Sequence, residues 1–210
     1  MGCHIFDPVF EALALTSPVS LRSEGPAPDR WNWAINARIH YVFPGTKFTA
    51  EKTVPVTWYD GDERPPAEIR ALVPEAPPAE GAKGKSAQRR ADLDNQGSII
   101  IGTAGVLHVP HIGAPKLHPA AKFADYVLPE REQGHHWTEW AEACVHGGKP
   151  GASFDYSGPL TEAVLLGSVA VRFPGQTLAW NGPKLQFTNE PRANQHLRRT
   201  YRAGWEVAGL

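Results

Sequence analysis

Residues 160–172 are apolar on nearly every side: Leu160, Ala163, Val164, Leu165, Leu166, Val169 and Ala170 leave no broad polar face. A helix of that composition is stable only when other layers cover it, so the rest of the chain must supply them. Pro159 suits the first helical position, where its missing N–H costs nothing. Gly167 would let another backbone approach closely.

Covering layers are legible upstream as strands. Ile35, Ala37, Ile39, Tyr41 and Phe43 alternate with Asn36, Arg38 and His40, the period of a half-buried strand, and Pro44-Gly45 ends it. A shorter strand is expected over 19–23. Val54, Val56 and Trp58 alternate up to the turn at Asp60-Gly61, and Pro55 inside that run marks an edge strand or a bulge. The runs 97–102 and 105–109 form a hairpin turning at Thr103-Ala104.

Helical spacing takes over elsewhere. Ile5, Val9, Ala12 and Leu13 predict a helix that begins almost at the first residue, with no capping residue ahead of it. Trp137, Trp140, Ala141 and Cys144 form one apolar stripe that ends at Gly147-Gly148. A short strand over 177–180 and a helix near 192–201 close the chain. Strands first and helices later is the α+β pattern, not an alternating βαβ one, and no internal repeat is visible. Residues 62–96 break the pattern with Pro65-Pro66, Pro74, Pro77-Pro78 and GAKGKSAQRR. Apart from a short helix near 68–72 this is a surface excursion, and loops of that length are more often functional than filler.

Composition narrows the function classes. Gly and Pro number 20 each among 210 residues, well above average usage, so the chain is rich in turns. With 21 Lys+Arg against 22 Asp+Glu there is no electrostatic footprint for nucleic acid, and Gln88-Arg89-Arg90 is too short to make one. No apolar run is long enough to span a membrane, and Asp7 and Glu11 interrupt any leader-like start. Two cysteines, Cys3 and Cys144, cannot build a disulfide framework or a four-thiolate zinc site. Both are expected to be small buried hydrophobes.

The motifs of cofactor and nucleophile chemistry are absent. No G-x-G-x-x-G follows a strand, and neither a P-loop nor G-x-S-x-G occurs. His108, His111, His118, His135 and His136 invite a metal reading, yet Pro110 makes the first pair extended and no Cys or acid completes a set. They are expected as water-exposed histidines of strand faces and loops. His4 at the helix start can act as a general acid or base, a role suited to imidazole near neutral pH. Asp7 lies on its helical face and could orient it.

Several blocks together resemble the Gfo/Idh/MocA oxidoreductases, in their bacterial subgroup with a distinctive C-terminal domain. They are MGCHIFDPVF at the start, Trp58-Tyr59-Asp60-Gly61, GSIIIGTAG at 97–105 and HHWTEWAEAC at 135–144. FDYSGPLTEAVLLGSVAVR at 154–172 is the densest, followed by 184–189, Ala193-Asn194 and Tyr201-Arg202-Ala203-Gly204-Trp205. The resemblance implies one C-terminal substrate-binding and oligomerisation domain over 1–210. Its fold would be α+β, an open mixed, largely antiparallel sheet with helices on one face, like the C-terminal domain of glyceraldehyde-3-phosphate dehydrogenase. The free sheet face would be the homo-oligomer interface. The family joins such a domain to an N-terminal Rossmann domain that binds NAD(P), and transfers hydride at a carbinol carbon of a sugar or polyol.

His4 matches the histidine of the family's Asp-x-x-x-His motif, whose aspartate would precede Met1. The catalytic lysine and the glycine-rich turn are missing too. The chain alone is therefore expected to bind no cofactor and to be inactive unless a Rossmann half is joined in cis or in trans. Asp7, His135, His136, Asp155 and Tyr156 are the further candidates for substrate contact, although helix capping would equally explain Asp155 and core stacking Tyr156. Two alternatives stand beside this expectation: a NAD-dependent glycoside-cleaving enzyme on the same scaffold, and a stand-alone binding or assembly module. Removing a cofactor domain would leave an exposed apolar patch and self-association.

Overall fold

A computed structural model describes residues 2–74, 96–130 and 134–208. The amino-terminal part holds α1 (Gly2–Ala12), β1 (Ser20–Glu24), β2 (Arg38–Pro44), β3 (Thr53–Tyr59) and a one-turn α2 (Ala67–Arg70). The middle holds β4 (Gly97–Ile101), β5 (Val106–Pro110), β6 (Lys116–His118) and α3 (His136–His146). Then come α4 (Phe154–Ala170), β7 (Thr177–Asn181) and β8 (Gln186–Phe187). The fold is α+β, and its strands lie in two sheets whose described pairings are all antiparallel. Among the described residues no helix is long and apolar enough to cross a membrane. The chain divides into two compact units.

One unit comprises Ser17–Pro44, Thr53–Arg64 and Leu165–Leu210. Its five-stranded sheet runs β3-β2-β1-β7-β8. Register sets Leu21 opposite both Tyr41 and Leu178, so three buried side chains line up across the sheet centre. Ile39, Tyr41 and Phe43 are buried at period 2 as their alternation predicts. The strand starts at Arg38, however, and Ile35 is exposed. Asn36 explains the difference: it takes a left-handed conformation (φ 60°) and accepts the Asp62 N–H at 2.8 Å, which closes a turn where the alternation suggested extended chain. β3 is an edge strand, which is where Pro55 can lack an N–H without breaking a ladder.

The carboxy-terminal part of α4 packs on this sheet. A Cβ on Gly167 would collide with the Tyr41 hydroxyl and come within 3.2 Å of Ile39 Cδ1, so the close approach is made by side chains of β2 and not by a backbone. The helix expected near 192–201 is a 3₁₀ helix over Pro191–His196, and the described residues past it, 197–208, hold no helix. Glu190 caps it, accepting from Arg192 N at 3.1 Å and from the Arg192 guanidinium at 2.9 and 2.7 Å. Those bonds, with the Gln176 amide, hold the Glu190 carboxyl down to about 2. Asn194 reaches back to bond both Phe187 N (2.7 Å) and Phe187 O (3.0 Å), covering the edge of β8.

The other unit comprises Met1–Thr16, Gly45–Lys52 and Pro65–Val164. α1 buries Ile5, Phe6, Val9 and Phe10, and the Ser98 hydroxyl of β4 donates to Ile5 O at 2.9 Å. The hairpin β4–β5 turns as its glycines predict, and β6 adds a third strand that sequence pattern did not mark. Of the 62–96 excursion, the short helix forms at Ala67–Arg70, while residues 75–95 lie outside the described residues.

Four expectations are overturned in this unit. His108 and His118 are buried, not exposed, because Val106 pairs with His118 and thereby sets His108 on the same inward face. Cys3 is exposed, in the first turn of α1 at the rim of its buried stripe. Cys144 is exposed because none of α3 is buried: Trp137 and Trp140 show 68% and 63% of their surface. Finally, α4 begins at Phe154, so Pro159 lies inside it and not at its first position, and Leu165, in the part of that helix belonging to the sheet unit, is 57% exposed although 160–172 was expected to be covered all round.

Candidate functional site

The buried face of α1 dictates what its other face can do. At 100° per residue, Ile5, Phe6, Val9 and Phe10 point inward and turn His4, Asp7 and Glu11 toward the opposite side. His4 is exposed and Asp7 half-buried. Pro8 lacks the N–H that would otherwise bond the His4 carbonyl, so this helical turn is held by fewer backbone bonds than its neighbours.

Tyr156, from the first turns of α4, closes onto this face. Its ring meets Phe10 edge-on at 6.2 Å, and its hydroxyl donates to Asp7 Oδ1 and, at 3.4 Å, toward Asp7 O. Two residues 149 positions apart are thus joined on the helix that carries His4. Burial first, then the Asp7 carboxylate and the charge of Glu11, push the Tyr156 phenol above its ordinary range, so it stays a donor at neutral pH. Asp7 Oδ2 and both ring nitrogens of His4 have no hydrogen-bond partner among the described residues.

The remaining candidates lie apart from this cluster. Asp155 projects into solvent and accepts from Lys149 Nζ at 2.7 Å, which lowers its carboxyl below the usual carboxylate range. His135 and His136 stack in parallel at 5.6 Å where α3 begins, with His136 against Trp137 at 4.7 Å, and both are exposed. No described contact links them to His4. A residue that sequence reasoning set aside does approach: the His111 ring lies 6.2 Å from that of His4, tilted by 39°. Its signal was the adjacency of a histidine to a glycine-bounded hairpin, too common a pattern to single out.

Among the described residues no group of three His, Cys, Asp or Glu side chains is placed to hold a metal ion. The described strands pair antiparallel throughout, so no parallel βαβ crossover with a phosphate-binding turn exists among them to cradle a dinucleotide. What the cluster offers is proton exchange and hydrogen bonding: one imidazole, one carboxylate oxygen and one fixed phenol. No family model matches the chain, and no curated protein matches it either.

Proposed function

We propose that this chain is the substrate-binding domain of a NAD(P)-dependent sugar or polyol dehydrogenase of the Gfo/Idh/MocA type, with His4 as its acid/base residue. The joining of Asp7 to Tyr156 carries this reading, because it ties two expected site residues, 149 positions apart, at the helix that bears the third, His4. Such a cluster suits a polyhydroxylated ligand: His4 takes a hydroxyl proton, Asp7 Oδ2 accepts from a neighbouring hydroxyl, and Tyr156 holds Asp7 in place. In this reading the nucleotide is bound by a separate domain. This chain's own share of the work is binding, orientation and proton transfer.

The decisive experiment takes the complete native gene product, including whatever is encoded upstream of Met1, and follows nicotinamide absorbance with a panel of sugars and cyclitols. Polyol-dependent turnover that falls about a hundredfold or more in His4→Asn is the expected result. A product without polyol-dependent turnover, or turnover indifferent to His4→Asn, overturns the reading.

A further inference from the structure

The loop at residues 25–36, in the sheet unit, turns apolar side chains outward on a fixed support. Its ends meet: a Cβ on Gly25 would lie 2.6 Å from Asn36 O, and Gly25 takes the positive φ (107°) that a glycine allows. Ala34 is buried and pins the loop from within. The Asp29 carboxylate accepts from Trp31 N at 2.6 Å and from Asn32 N at 2.5 Å, which makes an Asx turn. Those bonds, that of Asn32 foremost, hold the Asp29 carboxyl below the usual carboxylate range, so the turn stays tied at neutral pH. Compact loops with closed ends are frequently functional.

The loop shows Trp31 (81% exposed), Trp33 (49%) and Ile35 (68%) to water, three apolar side chains at alternate positions. The left-handed Asn36 separates them from the buried alternation of β2, which begins two residues later. An arginine lies over each tryptophan: Arg30 is 4.8 Å from the Trp31 ring and Arg172 is 5.7 Å from that of Trp33. Neither guanidinium meets a carboxylate among the described residues. Asp29 is the only acid within 25–36 and is engaged by the turn, while Asp62 meets the loop at its base, on Asn36.

Two indoles, an aliphatic side chain and two arginines without carboxylates suit the boundary between lipid headgroups and acyl chains. Tryptophan concentrates there, apolar groups gain by entering it, and guanidinium groups bond phosphate. A protein interface engages about 20–30 residues a side, far more than this tip presents. We propose that this loop docks the chain on an anionic membrane surface, with Trp31, Trp33 and Ile35 in the boundary layer and Arg30 and Arg172 on lipid phosphates. Docking of this kind lies on a bilayer and needs no spanning helix, and the described residues hold none. It is independent of the reading of His4.

The chain is sedimented with vesicles of phosphatidylcholine alone, and with vesicles containing about one third phosphatidylglycerol. Binding to the anionic vesicles is expected, weaker in raised salt and about tenfold or more weaker in Trp31→Ala. Arg30→Gln should weaken it about threefold or more and flatten its salt dependence. Both side chains are exposed, so thermal unfolding of both variants should match that of the original chain, which separates lost docking from lost fold. Trp140→Ser on α3 is the control for unspecific adsorption through an exposed tryptophan. No binding to the anionic vesicles, or binding lowered as much by Trp140→Ser as by Trp31→Ala, overturns the proposal. So does an oligomer formed without vesicles that Trp31→Ala dissociates, which would assign the loop to a second copy of this chain.

Discussion

α1 and α3 are each eleven residues long and each carries an apolar stripe, yet α1 buries four side chains and α3 buries none. Helices of this length are marginal alone, needing roughly 12–15 residues even with favourable sequences. α1 draws its stability from packing of Phe6 and Phe10 and from the Ser98 bond to its backbone. Among the described residues α3 has only local support: Glu142 facing His146 at 3.3 Å, and Gly147 leaving the helix with positive φ (75°). The pair teaches that hydrophobic period says which side of a helix would be buried, and not that anything covers it.

The contrast is sharpest in the response to truncation. Phe10→Ala should destabilise the chain by about 3–5 kcal/mol in denaturant titration, through lost transfer energy plus the cavity left beside Tyr156. A loss near zero would mean that α1 is no better held than α3. A smaller effect belongs to the sheet unit. Gly167→Ala would gain about 1 kcal/mol from helix propensity alone, but the collision with the Tyr41 hydroxyl should make it a net loss of about 1–3 kcal/mol. The same substitution made together with Tyr41→Phe should recover part of that loss, and a simple gain in thermal stability would show that β2 yields.

Next comes the Glu190 cap. Its carboxyl sits near 2 in the folded chain and near the usual carboxylate value of 4.5 when unfolded. The native state therefore binds this proton less tightly than the unfolded state, and the stabilisation is present above that usual value. It drains away as pH falls from about 4.5 toward about 2. Thermal unfolding of the original chain and of Glu190→Gln should differ most above this window and converge below it. Curves separated equally at all pH values would remove the cap from the account.

The smallest expected change in stability is at α3. Trp140→Ser should alter unfolding by no more than about 0.5 kcal/mol, because an exposed side chain loses little on truncation. Its effect should show in association. Trp137, Trp140 and Val145 present an apolar stripe to water, so the chain is expected to sediment above its monomer mass at tens of micromolar, and Trp140→Ser to bring it back toward the monomer. A compact monomer before substitution would show that the stripe attracts no cover from other copies.

Much of the fold was legible because its signals are local. The β2 alternation, the Pro55 edge, the glycine-bounded hairpin and the α1 stripe all follow from side-chain period and turn chemistry within a few residues. β6 was not legible, since three residues carry too little pattern to stand out. Nor was the start of β2, where a single left-handed Asn36 outweighs an alternation that continues through it. For the site, the sequence pointed to His4, Asp7 and Tyr156 as separate candidates. It could not show that the Tyr156 hydroxyl meets Asp7, nor that His111 faces His4, because neither pair has any sequence proximity.

By itself, then, the sequence determined the α+β class, most of the elements and which face of each is apolar, because backbone geometry repeats with short fixed periods. Tertiary structure alone decided which apolar faces find cover. It also decided that His108 and His118 turn inward while Cys3 and Cys144 stay outside, and that distant polar groups converge on one side of α1. Those outcomes depend on register between strands and on contacts between segments more than a hundred residues apart, and a local pattern holds no record of either.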